Sequence, residues 1–357
     1  MQELDTRGEW FYDHGKATLF LFPRTGDDLD LLVAPVLEVL IQLNGTDSEP
    51  VTDVAIEGLQ FTHTETVFMK EYEYPLGSDW GLRRSAAVVL ENARKSSVDS
   101  CLFDRVGGNA VLLSRNTRDC HVTRNEIALP GESGVLLIGR ADSGVRANAT
   151  TDNNTISLNN IHGVGVFGKQ TSCVAQTVTS RTAIEYNLCF EGPRAGFNFL
   201  DGTGGNRLTG NLGFAMVRET GDHGFVNSWD REPYETIYRD GTPSLIAADT
   251  LISRNLILGG WGGQHTLDHD DGSTRYQDTY NFLTKGGCKS NWGAHKNCSQ
   301  NVVLGGDLGE GGSPCKLNTH QCLLRFTLVY NSNATIDEIP AIFLAPLARE
   351  TAGFDMN

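Results

Sequence analysis

From about residue 98 onward, short apolar stretches alternate with polar corners, and almost no amphipathic helix pattern interrupts them. Each repeat has a few β-forming residues, an Asn or Cys, two or three apolar residues and a glycine-rich corner. Spacings of 24, 35, 27, 24, 44, 26 and 20 residues separate the markers Cys101, Asn125, Asn160, Asn187, Asn211, Asn255, Asn281 and Asn301. Periods of this size are typical of solenoids.

This pattern predicts an all-β chain folded as a parallel β-helix, in which each coil stacks on the one before. An Asn at one point of each coil suits a bend, because Asn tolerates a left-handed backbone and its side chain can bond to its counterpart in the next coil. The alternative is a β-sandwich with Asn-rich turns, but such turns should recur about every 8 to 12 residues.

The start of the chain departs from the repeat. Two apolar runs around His14-Gly15 predict a β-hairpin. We therefore expect a small N-terminal β subdomain at residues 1–50, which caps a solenoid spanning residues 51–357. The longest spacing between markers contains a polar stretch, which predicts an insertion loop near residues 231–249 beside a cleft.

The charge of the chain limits its partners. With 29 Lys and Arg against 44 Asp and Glu, the net charge is −15, which opposes binding to nucleic acids or anionic membranes. No apolar stretch approaches the roughly 20 residues of a membrane helix. We expect a monomer without a membrane span or a nucleic-acid partner.

Cysteine usage indicates an oxidising compartment. The chain has 8 cysteines and no Cys-x-x-Cys pair, which disfavours zinc ribbons and thioredoxin-like chemistry. Close spacing predicts the disulfides Cys288–Cys298 and Cys315–Cys322. Secretion is expected, although the first residues lack the basic and apolar regions of a signal peptide. Glycosylation sequons point the same way; they begin at Asn44, Asn148, Asn153, Asn297 and Asn333.

Two dense polar runs, residues 218–231 and 268–273, are the candidates for chemistry. Asp201, Asp222 and Asp268 follow their Asn markers by 14, 11 and 13 residues, so we expect them on one face of consecutive coils. Strands in a sheet lie about 4.8 Å apart, so carboxylates one or two coils apart would be separated by roughly 5 to 10 Å. That range covers both geometries of glycoside hydrolysis.

Asp222 is the preferred acid or base, because ionisable neighbours flank it. In a strand, Asp268 and Asp270 face one side, while His269 and Asp271 face the other. The alternative is that the aspartates of the second run only cap turns. The catalytic candidates are Asp201, Asp222, His223, Asp268, Asp270 and Asp271. Candidates for binding sugar rings or charged groups are Arg218, Glu219, Asn227, Trp229, Asp230, Arg231, Trp261 and Lys289.

No metal or other cofactor is expected. The run Asp268-x-Asp270-x-Gly272 is superficially like a calcium loop but lacks the spacing and the distal Glu of an EF-hand, so Ca²⁺ stays an open alternative. His265 and His269 stand four residues apart, which would suit zinc on a helix, but their setting predicts strand and turn.

Several segments resemble right-handed parallel β-helix proteins of the pectin-lyase-like superfamily along nearly the whole chain. They are residues 8–13, 18–23, 74–80, 106–111, 221–231 and 268–273. The resemblance implies polysaccharide processing in a groove on the helix face, with the Asp222-His223-Gly224 and Asp270-Asp271-Gly272-Ser273 runs as active-site candidates. The chain lacks an evident pectate lyase signature and the Asn-Thr-Asp and Gly-His-Gly motifs of polygalacturonases.

Three functions follow as hypotheses. The first is a secreted glycoside hydrolase that uses paired carboxylates. The second is a polysaccharide lyase that eliminates across a uronate, with Lys289, Arg231 or His223 as base and a cation neutralising the carboxylate. The third is a glycan-binding β-helix protein without catalysis, in which the acids would be scattered around the coil.

Overall fold

The fold is given by a computed structural model, in which contacts divide the chain into two units, Met1–Val36 and Leu37–Asn357. The predicted subdomain of residues 1–50 crosses this division, because Ile41–Asn44 pairs with Ala86–Glu91 of the second unit. The structure describes residues 3–74, 80–140, 150–201, 204–230, 248–263, 265–291 and 293–304, and the backbone of strands Cys322–Arg325 and Leu328–Tyr330.

The first unit contains the predicted hairpin. Strands Trp10–Asp13 and Thr18–Leu21 pair in an antiparallel manner. The Asp13 carboxylate closes the turn, because Oδ1 accepts hydrogen bonds from the backbone N–H groups of Gly15 and Lys16 at 3.0 and 3.1 Å. A 3₁₀ turn follows at Leu29–Leu31. Within the described residues, no helix is long and apolar enough to cross a membrane.

The second unit consists of three long parallel sheets that follow one another in each coil. Sheet I contains Ile41–Asn44, Ala86–Glu91, Asn109–Ser114, Val135–Ile138, Val174–Thr177, Phe197–Phe199, Val226–Ser228, Leu267–His269 and Cys288–Ser290. Sheet II contains Ala55–Glu57, Ser97–Asp99, His121–Thr123, Thr155–Ser157, Ala183–Glu185, Arg207–Thr209, Thr250–Ser253, Tyr276–Thr279, Lys296–Ser299 and Cys322–Arg325. Sheet III contains Gln60–Thr62, Leu102–Asp104, Glu126–Ala128, Asn160–His162, Leu188–Phe190, Leu212–Met216, Leu256–Gly260, Phe282–Thr284, Val302–Leu304 and Leu328–Tyr330.

Two short parallel pairs supplement the three sheets. Val51–Thr52 pairs with Ala93–Arg94, and Thr151–Asp152 pairs with Thr179–Ser180. In each sheet, successive side chains alternate between the interior and the outer face. The interior positions form one continuous apolar core along the described solenoid. The all-β parallel solenoid predicted from the sequence is therefore confirmed.

A ladder of buried asparagines joins the coils at the corner between sheets II and III. At Asn187, for example, Nδ2 donates to Asn211 Oδ1 at 3.0 Å and to the Ile156 carbonyl at 2.9 Å, and the backbone N–H donates to the same Asn211 Oδ1 at 2.8 Å. The ladder residues are Asn125, Asn159, Asn187, Asn211, Asn255, Asn281 and Asn301. These bonds satisfy backbone groups that the bend removes from the sheets.

Two details of the ladder differ from expectation. Asn159 is the ladder member, whereas the predicted marker Asn160 lies in sheet III and donates to Glu126 Oε2 at 2.7 Å. The left-handed residue is not the Asn but the one before it: at all seven corners that residue has φ between 54° and 71°, and only Gly210 among them is glycine. The amide bonds of the ladder offset the strain of a left-handed side-chain-bearing residue.

A segment that we call the strap, residues 68–74 and 80–84, lies over part of the outer face of sheet I. Its two arms are joined by paired backbone hydrogen bonds between Glu73 and Leu82, at 2.9 and 3.0 Å. Trp80 and Leu82 are buried in an apolar cluster that includes the outer-face residues Leu112 and Leu136. The strap therefore covers the apolar half of that face.

Replacing Asn187 by Ala should lower the free energy of unfolding by about 3 to 5 kcal/mol, because it leaves several buried polar groups without partners. The measurement is urea unfolding followed by circular dichroism. Asn160→Ala is the matched control and should cost about 1 kcal/mol or less, since Asn160 makes one side-chain bond at the half-buried edge. Equal losses in the two variants would contradict the ladder assignment.

Candidate active site

One row of outward-facing residues on sheet I changes from apolar to polar along the solenoid. In register order it runs Val89, Leu112, Leu136, Ala175, Asn198, Asn227, Asp268 and Lys289. Asn227 Nδ2 donates to Asn198 Oδ1 at 3.1 Å, so the two amides stack between the apolar and the charged parts of the row. The charged end is the candidate site.

Three charged side chains and one amide meet at this end. The Lys289 ammonium lies 2.9 Å from Asp268 Oδ1 and 3.1 Å from Asp270 Oδ1. Asn291 Nδ2 donates to Asp270 Oδ1 at 3.0 Å and to Asp271 Oδ1 at 2.9 Å. The side chain of Asp268 is 3% exposed, whereas those of Asp270 and Lys289 are each 25% exposed. We call Asp268, Asp270, Lys289 and Asn291 the carboxylate cluster.

The surroundings separate the pKa values of the two cluster carboxyls. Burial raises the pKa of Asp268 to about 6, and the charge of Lys289 opposes this only in part. Burial also acts to raise the pKa of Asp270, but the hydrogen bond from Asn291 and the charge of Lys289 outweigh it, so that pKa is lowered. Below about pH 6 the pair thus combines a protonated acid with an ionised carboxylate, which is the division of roles that acid–base catalysis requires.

Lys289 itself stays protonated. Burial lowers its pKa, but the charges and hydrogen bonds of Asp268 and Asp270 outweigh burial and raise the pKa above its usual value. The ammonium therefore holds the place between the two carboxylates that a bound cation would take, and this arrangement does not favour the calcium alternative.

His223 borders the cluster and interacts electrostatically with Asp270 and Lys289. Arg194 donates to His223 Nε2; since arginine can only donate, the proton of the neutral imidazole is on Nδ1, 3.1 Å from Thr220 Oγ1. Burial lowers the pKa of His223 to about 4, and the charge of Arg194 acts in the same direction. Near neutral pH, His223 is uncharged and its lone pair is engaged.

On the interior side of the same strand, His269 joins a buried hydrogen-bonded chain. His269 Nδ1 lies 2.6 Å from Ser228 Oγ and Nε2 lies 2.8 Å from Asp278 Oδ2, while Ser228 Oγ donates to Ser273 Oγ at 2.8 Å. All four side chains belong to residues at most 2% exposed, so substrate cannot reach them. The chain braces the strand that points Asp268 outward, so the predicted opposite facing of Asp268 and His269 is confirmed. The prediction that Asp271 faces the side of His269 is wrong: Asp271 lies beyond the end of the strand, and it shares the Asn291 amide with Asp270.

We expected Asp201, Asp222 and Asp268 on one face of consecutive coils; the structure does not align them at one register position of sheet I. The residues in register with Asp268 on the two preceding coils are Asn227 and Asn198. The ladder aligns only one corner of each coil, and the chain between that corner and sheet I varies in length. Residues at similar sequence distances from their ladder asparagines therefore do not occupy equivalent positions in sheet I.

Four other predicted residues lie apart from the cluster contacts. Asp222, Arg218 and Glu219 are exposed, and Glu219 pairs with Lys169 at 3.0 Å. Asp201 is fully buried at the turn after Phe197–Phe199. Their catalytic and binding roles stay predictions.

The two tryptophan candidates differ in position. Trp229 is 6% exposed and packs in the apolar cluster, so it is a core residue instead of a sugar platform. Trp261 is 73% exposed in the turn after Leu256–Gly260. The backbone N–H of Asp230 donates to the Asp271 carbonyl at 2.9 Å. Arg231, with residues 232–247 of the predicted insertion, lies outside the described residues.

Asn291 and Arg194 contact the candidate site but were not predicted from the sequence. Asn291 follows Asp270 by 21 residues, the same interval that separates Lys289 from Asp268 in register. That repeated interval could have indicated Asn291. Arg194 has no such signal, because it stands in the turn before Phe197–Phe199 and contacts His223 on the next coil.

The predicted disulfide Cys288–Cys298 is present and closes a loop that carries Lys289 and Asn291. A second disulfide, Cys173–Cys189, was not predicted. The predicted pair Cys315–Cys322 falls outside the described side chains. Among the described residues, one group has metal-ligand spacing, and it consists of Asp278 with the two sulfurs of Cys288–Cys298, which are already bonded to each other.

Comparisons with known proteins support the fold. A family profile described as a right handed beta helix region matches residues 47–179. A solved structure described as a glycoside hydrolase has a TM-score of 0.62 at 16% identity and covers 96% of this chain and 58% of its own. PfbA, a surface adhesin of Streptococcus pneumoniae, has a TM-score of 0.56 at 12% identity, covering 84% of this chain and 76% of its own.

A third structure, XylC in complex with xylose, has a TM-score of 0.50 at 10% identity and covers 79% of this chain. The chain spans 58% and 53% of the glycoside hydrolase and XylC chains, respectively. No curated protein matches the sequence. At these identities the likeness concerns the fold, and it agrees with the stacked parallel sheets. The chain is therefore a right-handed parallel β-helix protein, the fold that its resemblance to the pectin-lyase-like superfamily implies.

Proposed function

We propose that the protein is a secreted glycoside hydrolase whose catalytic pair is Asp268 and Asp270. The observation that carries this proposal is the opposite shift of two carboxyl pKa values around one lysine on the outer face of the solenoid. Asp268 would protonate the leaving oxygen, and Asp270, which is more exposed, would attack the anomeric carbon or activate water. The likeness to a glycoside hydrolase and to XylC with xylose supports a carbohydrate substrate.

The geometry of the pair favours retention of anomeric configuration. Both Oδ1 atoms contact Lys289 Nζ, at 2.9 and 3.1 Å, so they can be no more than about 6 Å apart. Retaining enzymes place their carboxyls about 5 to 5.5 Å apart, whereas inverting enzymes need roughly 6.5 to 9.5 Å to admit water. Because Asp268 is nearly covered, the glycosidic oxygen would take the place of the Lys289 ammonium.

The lyase hypothesis has weaker support from the same residues. A lyase base must be unprotonated and free to accept a proton. The raised pKa of Lys289 keeps it charged, and the acceptor nitrogen of His223 already receives a hydrogen bond from Arg194. Secretion is supported by the two disulfides and by the exposed positions of the sequon residues Asn44 and Asn153.

The second candidate function is glycan binding without catalysis. Two observations favour it: Asp201 and Asp222 do not join the row of Asp268, and PfbA, a surface adhesin, has a similar fold. In that case the carboxylate cluster would only hold two coils together.

A panel of neutral, uronic and sulfated polysaccharides, incubated with the whole protein, separates the three functions. We expect new reducing ends with retained anomeric configuration, measured by mass spectrometry and proton NMR of early products. Unsaturated products that absorb in the ultraviolet would instead indicate a lyase. Binding to a glycan without any product would indicate the non-catalytic protein.

Replacing Asp268 or Asp270 by Asn should reduce kcat on the active glycan by about a hundredfold or more, because each variant removes one proton-transfer or nucleophilic group. The exposed Asp222→Asn variant is the matched control, and we expect its kcat within about threefold of the native value. Circular dichroism and thermal unfolding should show a native fold in all three proteins. A greater loss in Asp222→Asn than in the other two would return the acid role to Asp222.

The pH profile should report the acid. With Asp268 as the proton donor, kcat/KM should fall as pH rises through about 6, because the donor ionises there. Lys289 lowers the pKa of Asp268, so in Lys289→Met the fall of kcat/KM, the alkaline limb of the profile, should move to higher pH, whatever happens to the maximal rate. Lys169→Met is the matched control: Lys169 pairs with Glu219 and not with the cluster carboxylates, so the alkaline limb should stay in place. A limb that is unmoved in Lys289→Met would exclude Asp268 as the donor.

A further inference from the structure

A cluster of exposed aromatic rings stands on the strap. Phe68, Tyr72 and Tyr74 are 40%, 48% and 52% exposed. The Arg83 guanidinium lies 5.6 Å from the centroid of the Phe68 ring and 5.4 Å from that of Tyr72. Tyr72 and Tyr74 meet edge to face with centroids 5.2 Å apart, and their hydroxyls are 3.2 Å apart. We call these three rings the aromatic platform.

Buried contacts hold the platform in place. Arg83 Nη1 is 2.6 Å from Glu132 Oε1, and the side chains are 13% and 4% exposed. Asn109 Nδ2 lies 3.3 Å from Glu132 Oε2. A Cβ atom added at Gly81 would lie only 2.8 Å from the Tyr72 ring, so glycine at this position lets the ring lie against the strap backbone. Arg83 and the strap backbone therefore hold the rings in place, while the three residues remain exposed.

The arm of the strap that carries Arg83 also reaches the edge of the candidate active site. The strap residue Trp80 lies beneath the Arg194 guanidinium, 4.2 Å from it, and Arg194 contacts His223 at the edge of the carboxylate cluster. Glu132 stands three residues before the start of Val135–Ile138, which lies four strands before the Asp268 strand in sheet I. At the usual strand spacing, this is about 19 Å along the solenoid.

The aromatic faces and polar rims of the platform suit a neutral sugar ring. Aromatic faces with polar rims bind the apolar face of a sugar ring while leaving its hydroxyls hydrated. Glu132 already neutralises the positive charge of Arg83, so this guanidinium is not a free cation for an anionic sugar. A patch of clustered, ordered aromatic rings beside polar groups is also typical of ligand-binding surfaces.

We propose that the aromatic platform is a distal binding subsite for a neutral pyranose of the glycan chain, anchored at Glu132 about 19 Å along the solenoid from the Asp268 strand. This inference rests on the proposed function, because the same glycan would extend from the platform to the cluster. It identifies the substrate as a neutral polysaccharide or long oligosaccharide. Di- and trisaccharides at the cluster would not reach the platform.

The test compares hexasaccharides with disaccharides. The probes are β-1,4-linked hexamers and dimers of xylose, glucose and N-acetylglucosamine, with binding measured by isothermal titration calorimetry on the Asp268→Asn protein. For the hexamer that binds most tightly, the double substitution Tyr72→Ala/Tyr74→Ala should weaken affinity roughly tenfold and leave dimer affinity unchanged. Tyr72→Phe, which keeps the ring, should retain most of the affinity.

The matched control is Tyr186→Ala/Tyr280→Ala. These tyrosines are 43% and 44% exposed but lie at the corner between sheets II and III, so hexamer affinity should not change. Thermal unfolding of every variant verifies the fold. No binding of any hexamer, or equal affinities in the platform and control variants, would overturn the platform. Hexamer binding that depends on the platform, without turnover of any glycan by the native protein, would uphold the platform and reject the proposed hydrolase.

Discussion

The whole solenoid depends on satisfying buried backbone groups where each coil bends. At the corner between sheets II and III the chain leaves one sheet and enters the next within two residues, of which the first is left-handed. At such a bend, buried main-chain N–H and C=O groups lose the hydrogen-bond partners that a continuous sheet would give them, and no water replaces those partners. The stacked amides of Asn125 through Asn301 replace those partners coil by coil. Because every amide bonds to the next, the corner also fixes the order and phase of stacking.

The asparagine ladder aligns the coils at one corner, and only backbone pairing between strands aligns them in sheet I. The loops between the ladder and sheet I differ in length from coil to coil, yet the strands of sheet I remain paired in register from Ile41–Asn44 to Cys288–Ser290. This pairing converts separate polar residues into one outer row that changes from leucine to amide to charge. The charged end needs a counterion, because a buried aspartate beside a second carboxylate would otherwise be costly. Lys289 supplies it from the neighbouring strand.

The fold could be predicted from the sequence, whereas the candidate site could be predicted only in part. Asn spacing predicted the solenoid because the ladder amides are a local requirement of every coil. Asp268 and Asp270 were candidates because they belong to a dense polar run, and Lys289 was a candidate because its charge can bind an anionic group. The outward-facing row of sheet I could not be predicted, because Asn198 and Asn227 carry no charge and their alignment with Asp268 depends on loop lengths. His223 was found, but its partner Arg194 comes from another coil and required the three-dimensional structure.

The strand Leu267–His269 connects the interior with the candidate site. Its outward residue Asp268 belongs to the carboxylate cluster, and its inward residue His269 is held between Ser228 and Asp278. The next strand repeats this arrangement, because Lys289 points outward while its neighbour Cys288 is bonded in the interior to Cys298. Both strands are thus braced from inside, one by hydrogen bonds and the other by a covalent bond. A site on braced strands holds its charges in a constant geometry, and that constancy lets the burial of Asp268 and the Asn291 hydrogen bond to Asp270 keep the pKa values of the two carboxyl groups apart.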